Sequence, residues 1–174
     1  MELTPLSAIS PLDGRYHNNT HHLQGYFSEY ALIRYRVWVE IEYLIFLGEK
    51  KIISLPQKLK KQLLKALEEF NEQQAQSIKD TEKITNHDVK AVEYFVKQLL
   101  EKYGAPELKE WVHFGLTSQD INNTAIPMSW KHAIEHEYLP VLINLQHHIG
   151  QLAEQYKDVV MLARTHGQPA SPTR

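Results

Sequence analysis

Leu59, Leu63, Leu67 and Phe70 fall four, four and three residues apart. That spacing returns to one side of a 3.6-residue turn, so it predicts a helix with a single apolar face. Pro56 stands just ahead, where a first helical turn tolerates a residue without an N–H. Upstream, Phe27, Ala31, Val37, Trp38, Ile41, Leu44 and Ile45 form a wider stripe. It predicts a helix capped by Ser28 and running to about Leu47, buried on two sides, with Gly48 as its stop. The stretch 71–80 is polar and reads either as more of the preceding helix or as loop. Val92, Val96, Leu99 and Tyr103 mark one face of a helix from about His87 to Tyr103, closed by Gly104 and Pro106. Leu108, Trp111 and Val112 point to a short helix.

Tyr138, Leu145 and Leu152 recur every seven residues, and Leu142, Ile149 and Tyr156 repeat that interval offset by four. Such an a/d seam packs against other helices. One long helix is expected from about Ser118 to Tyr156, kinked where Pro127 and Pro140 each remove a backbone donor. Thr117 or Ser118 is its N-cap, and Thr117-x-x-Asp120 resembles a capping box with Asp in place of Glu. Residues 1–25 read as irregular, broken by Pro5, Pro11, Gly14 and Gly25, with a turn at Asp13-Gly14. After the seam, DVVMLARTHGQPASPTR is first apolar and then loop-like. A seam with so few helices left to cover it predicts oligomerisation, or a longer parent chain.

Composition narrows the function classes. Hydrophobic residues make up 43% and charged residues 23% of the 174, enough for a core and too apolar for wholesale disorder. The net charge of −2 argues against a mainly electrostatic nucleic-acid binder. Cysteine is absent, which excludes disulfides, thiolate nucleophiles, zinc ribbons and iron–sulfur clusters. No apolar run approaches the roughly 20 residues of a membrane span. MELTPLSAIS has neither the basic nor the apolar region of a signal peptide. A soluble, cytoplasmic protein with no membrane or nucleic-acid partner is the expectation, and the sequons at Asn18 and Asn122 then carry no meaning.

Four polar clusters edge the helices. Arg15 and Tyr16, after Asp13-Gly14, offer a guanidinium fork and a phenol, a pair suited to phosphate or simply to a surface loop. Thr85-Asn86-His87-Asp88 lies at a helix N-terminus, which favours anions; capping explains the same residue types. His113 with Thr117 and Ser118 supplies hydroxyls at a second N-terminus, a compact carboxylate cradle or again a cap. Arg164-Thr165-His166-Gly167-Gln168 sets a histidine in a loop, where it is a general acid or base or merely exposed. His132 and His136 share a helix face, but no third ligand is evident, so they and the remaining histidines read as solvated and no metal is expected. No GxGxxG, Walker or GxSxG sequence occurs.

Taken in order, PLDGRY, FSEYALIRYRVWVE, TNHDVKAVEYF, HFGLTSQDINN and RTHGQPASPT resemble the N-terminal part of the adenylosuccinate lyases, of the aspartase/fumarase superfamily. The resemblance is to the bacterial subtype that begins MEL-x-x-L-x-A-x-SP-x-DGRY, and it runs along essentially the whole chain. It implies an all-α fold. A mixed helical first domain (1–112) would precede the start of a central helical-bundle domain (113–174, incomplete) that assembles as a homotetramer.

The resemblance also implies a reaction of purine synthesis: β-elimination of fumarate from adenylosuccinate, giving AMP, and from the succinylated aminoimidazole carboxamide ribotide. No cofactor is implied. Residue by residue, Arg15 and Tyr16 match the pair that contacts the nucleotide phosphate. Asn86, His87 and Asp88 match a second substrate-binding segment. Thr117 and Ser118 match the hydroxyls on the succinyl carboxylate, and His166 matches the general acid. His113 falls at a further histidine position. Gln119 departs from the acidic residue or asparagine often found after Thr-Ser.

The family's general base is a serine in a stretch of the form SSxMPxKxN, and nothing like it occurs in these 174 residues. The expectation is therefore an N-terminal fragment, inactive alone. Argininosuccinate lyase and fumarase are alternatives that DGRY and TNHDVKAVEY oppose. A non-catalytic helical assembly module is another, opposed by the presence of Arg15, Thr117, Ser118 and His166.

Overall fold

Ser28 begins the longest element. Its hydroxyl accepts the Ala31 N–H at 3.1 Å, and helix follows from Glu29 to Glu49. The computed structural model to which this belongs describes residue 6 and residues 8–173. The MEL opening lies outside the described residues, and with it part of the reading that excludes a signal peptide. The first unit runs to Ala133 and the second from Ile134, and each is described by itself.

In the first unit the helices are α1 (His17–Thr20), α2 (Gln24–Phe27), α3 (Glu29–Glu49), α4 (Gln57–Glu68), α5 (Glu72–Thr85), α6 (Asp88–Lys102) and α7 (Ser118–Ala133). Single 3-10 segments cover His21–Leu23 and Pro106–Trp111. The expected irregular N-terminal stretch is therefore helical from His17 on, in pieces too short to show a period.

The polar stretch after Phe70 is a helix of its own. Asn71 and Gln74 form a reciprocal capping box, side chain to backbone at 3.2 Å and 3.0 Å. Only Ala75 and Ile78 of α5 are buried, so apolar periodicity was too sparse to reveal it.

α3 is the central rod. Ile33, Val37, Ile41 and Leu44 join Leu59 and Leu63 of α4, Ile78 of α5 and Val92, Val96 and Leu100 of α6 in the main core. Ala31 and Tyr35 pack with Ala125 of α7 in a second cluster, so α3 is buried on two sides, as its wide stripe predicts.

Gly48 does not stop α3. The helix passes through it, and an added Cβ would stand 2.6 Å from Leu55 Cβ, so this glycine permits a close approach. The stop is a Schellman turn: Ile52 N–H bonds the Leu47 carbonyl and Lys51 N–H the Gly48 carbonyl, both at 3.0 Å. Lys51 holds the left-handed position with φ +59°. α6 ends in the same way at Gly104, φ +77°, the breaker expected there. Lys51→Gly should therefore raise stability by about 1 kcal/mol, read as a higher urea midpoint.

Every residue from 118 to 156 is helical, as the seam predicts, but not uniformly so. α7 is followed in the second unit by a π turn, Ile134–Tyr138, and then by α8 (Leu139–Tyr156). Pro140 has no N–H for the His136 carbonyl, and the wider turn absorbs that break. Leu145 is 54% and Ile149 57% exposed, so the seam is uncovered by the described residues of the second unit.

The loop expected after it is instead a β-hairpin, β1 (Met161–Thr165) antiparallel to β2 (Gln168–Thr173). With Thr165 paired to Gln168, the turn residues are His166 at φ +50° and Gly167 at φ +76°. Two positive φ values are what a two-residue type I′ turn demands. The two strands aside, the fold is mostly helical. No helix among the described residues is long and apolar enough to cross a membrane.

Candidate active site

The α5–α6 corner carries the second polar cluster. Asn86 caps α5 in the left-handed region, φ 52° and ψ 34°, a conformation asparagine tolerates. His87 then turns extended and caps α6, its Nδ1 accepting the Lys90 N–H at 3.1 Å. A neutral imidazole so engaged carries its proton on Nε2. Nε2 lies 3.4 Å from Ser118 Oγ, so His87 donates and the hydroxyl oxygen accepts. The Ser118 hydrogen is left available to donate to an anion. Residues 31 positions apart, each with a capping role open to it, thus meet.

Asp88 is tied to the scaffold. Its Oδ1 accepts the Val89 N–H at 2.8 Å, and its Oδ2 meets Arg36 Nη2 at 2.6 Å. Burial pushes its pKa up, but the Val89 amide and the Arg36 guanidinium outweigh that and hold it below the usual carboxylate range. The same guanidinium donates through Nε to Asn122 Oδ1 at 2.9 Å, on α7. Arg36 is 6% exposed.

The loop before α7 is bent by positive φ at His113, +62°, and Gly115, +71°. α3 holds it at two points. Tyr43 donates its hydroxyl to the Phe114 carbonyl at 2.8 Å, and Glu40 Oε1 lies 2.5 Å from His113 Nδ1. Across the ring, His113 Nε2 is 3.9 Å from Glu93 Oε1, whose other oxygen binds Lys90 at 2.7 Å. Glu40 is fully buried, and its Oε2 has no hydrogen-bond partner among the described residues. Burial pushes its pKa up, against the opposing pull of His113.

Thr117 and Ser118 differ in availability. Asp120 Oδ2 accepts the Thr117 N–H at 2.7 Å and the Thr117 hydroxyl at 2.8 Å. Those two bonds hold the Asp120 pKa down. Half of the anticipated Thr-x-x-Asp box forms: the carboxylate reaches back to the Thr117 N–H. The Asp120 N–H bonds the Thr117 carbonyl at 3.0 Å, and the Thr117 hydroxyl, which a ligand carboxylate would want, donates to the Asp120 carboxylate. Ser118 is the freer donor of the pair.

Arg15 and Tyr16 are exposed and pair with each other, the guanidinium carbon 5.4 Å from the ring centroid. His166 is exposed at the tip of the hairpin in the second unit. His132 Nδ1 lies 3.0 Å from the Tyr35 hydroxyl. Among the described residues no group of three or more potential ligands could hold a metal ion.

Sequence reasoning missed Arg36, Glu40, Tyr43, Glu93 and Asn122. One signal was present: 36, 40 and 43 are polar positions at helical spacing inside an otherwise apolar stripe. A polar residue on a buried face is informative because it must find a partner there.

The chain is similar to adenylosuccinate lyases along nearly its whole length. It is 50% identical to that of Dictyostelium discoideum, 46% to that of Legionella pneumophila (strain Corby) and 42% to that of Escherichia coli (strain K12), each over 99% of this chain. It spans 39% of the length of each of these curated relatives. A family model described as Lyase matches residues 14–174, which takes in all the polar clusters above, and the chain belongs to that lyase family.

Proposed function

We propose that the full-length polypeptide carrying this chain is an adenylosuccinate lyase. It would release fumarate from adenylosuccinate, giving AMP, and from the succinylated aminoimidazole carboxamide ribotide. The observation that carries this reading is the 42–50% identity to proteins of that name over 99% of the chain. The meeting of His87 with Ser118 supports it.

The roles follow from the chemistry. A C–H beside a carboxylate is a weak acid, so elimination needs its carbanion stabilised. Ser118, polarised by His87, donates to that carboxylate, and charge moves into it as the proton leaves. Thr117 joins if its hydroxyl turns from Asp120. The base that takes the proton belongs to the serine stretch absent from these 174 residues. The electron pair then forms the fumarate double bond, the C–N bond breaks, and His166 protonates the departing purine nitrogen. Arg15 and Tyr16 hold the phosphate, and that remote binding orients the reacting centre. Asn86 and Asp88 shape the corner that presents His87.

The substrate is thus a small molecule. Assembly as a homotetramer fits the uncovered α8 seam, the central bundle would begin at residue 113, and cytoplasmic residence fits the reaction. Ultraviolet absorbance of adenylosuccinate incubated with the full-length polypeptide tests the reading. Fumarate should accumulate in equal amount with AMP; no product at any enzyme concentration refutes it.

A further inference from the structure

We infer that Arg36 is a positioning residue that sets the distance between His87 and Ser118. The inference rests on the proposed lyase reading, and it concerns a residue the family resemblance did not single out.

The guanidinium is a rigid fork with donors in fixed directions. Here one donor holds Asp88 at 2.6 Å, and another holds Asn122 at 2.9 Å. Asp88 is the residue after His87, and it opens α6. Asn122 lies one helical turn beyond Ser118 on α7. Arg36 therefore clamps one neighbour of each member of the pair. It does so from α3, whose apolar face is locked into the main core. Arg36 itself is 6% exposed, so the guanidinium end of each clamp is shielded from water, while the Asp88 side chain it holds is 42% exposed. The 3.4 Å approach of His87 Nε2 to Ser118 Oγ is a consequence of where this fork places the α6 and α7 N-termini. That approach is what leaves the serine hydrogen directed at a ligand carboxylate.

Arg36→Lys in the full-length polypeptide keeps a charge beside Asp88 but cannot also reach Asn122. The KM for adenylosuccinate and the competitive inhibition constant of fumarate should rise together by roughly 10- to 100-fold. The inhibition constant of AMP, which carries no succinyl carboxylate, should stay unchanged. Asn122→Ala removes one clamp and should shift the same constants in the same sense by less; it carries the test if Arg36→Lys does not fold. An equal rise for AMP and fumarate, or none for either, overturns the inference and leaves Arg36 a purely structural pair.

Wild-type polypeptide that releases no fumarate overturns the lyase reading instead. A crystal structure of Arg36→Lys then decides the positioning role. Separation of His87 from Ser118 beyond hydrogen-bonding range supports it, and an unmoved pair overturns it.

Discussion

His166→Asn should lower kcat for fumarate release by the full-length polypeptide about 10²- to 10⁴-fold, the usual worth of a positioned general acid. KM should change little, because in the proposed reaction the imidazole would act on the leaving nitrogen during bond cleavage and not on the groups that anchor the substrate. Asparagine is the informative replacement. His166 has φ +50° and precedes Gly167 at φ +76°, and Asn-Gly is the pair a type I′ turn prefers. The hairpin should therefore survive while the titratable ring is lost. Alanine would mix chemistry with backbone strain of roughly 1 kcal/mol. Stopped assays with adenylosuccinate give kcat and KM separately. A kcat within about tenfold of wild type removes His166 from the role of proton donor.

Glu40→Ala should cost roughly 3–5 kcal/mol of stability, the loss typical of a buried pair deprived of one partner. The carboxylate is fully buried, and it holds His113 in a left-handed conformation, φ +62°, that a histidine adopts at a cost. Without it the nearest carboxylate left to the ring among the described residues is Glu93, at 3.9 Å, and a cavity opens between α3 and the loop before α7.

Glu40→Gln retains volume and an acceptor for His113 Nδ1, so it should cost less, about 1–2 kcal/mol. The pH dependence has a definite sign. Burial raises the Glu40 pKa above its ordinary 4.5. A raised carboxylate contributes stability that is present in full below the ordinary value and is lost as pH rises through the folded-state value. Glutamine does not titrate. The stability advantage of wild type over Glu40→Gln should therefore be largest in acid and shrink toward neutrality. Urea titrations of both proteins at a series of pH values read this directly, and a gap that widens with pH would contradict the burial-dominated shift.

The helices were readable where one face is apolar. Leu59, Leu63 and Leu67 announce α4, though Phe70 falls just past its end, and Val92, Val96 and Leu99 announce α6, because burial of one side imposes a 3.6-residue period on the residues themselves. α5 was not announced, since its stability rests on a capping box and two buried residues. Gly48 was misread for a physical reason: a helix can end on a lysine in the left-handed position, and a glycine can serve instead to admit Leu55. The hairpin escaped notice because Pro169 and Pro172 and a histidine at the turn are not strand signals, although two strands with free edges accommodate them.

The chemistry divides in the same way. Local order along the chain was enough to mark His87, Ser118, Thr117, Arg15 and His166 as candidates and to indicate a mostly helical protein, because motifs, caps and periodicity are properties of neighbours. The pairing of candidates was not local. Arg36 meets Asn122 across 86 residues and Glu40 meets His113 across 73, and those contacts exist only because α3 is buried on two sides. Residue order already offered Asp120 to Thr117, three positions away, but packing decided that Ser118 Oγ meets His87 Nε2 across 31 residues, a contact that depends on distances between helices and leaves no trace in residue order.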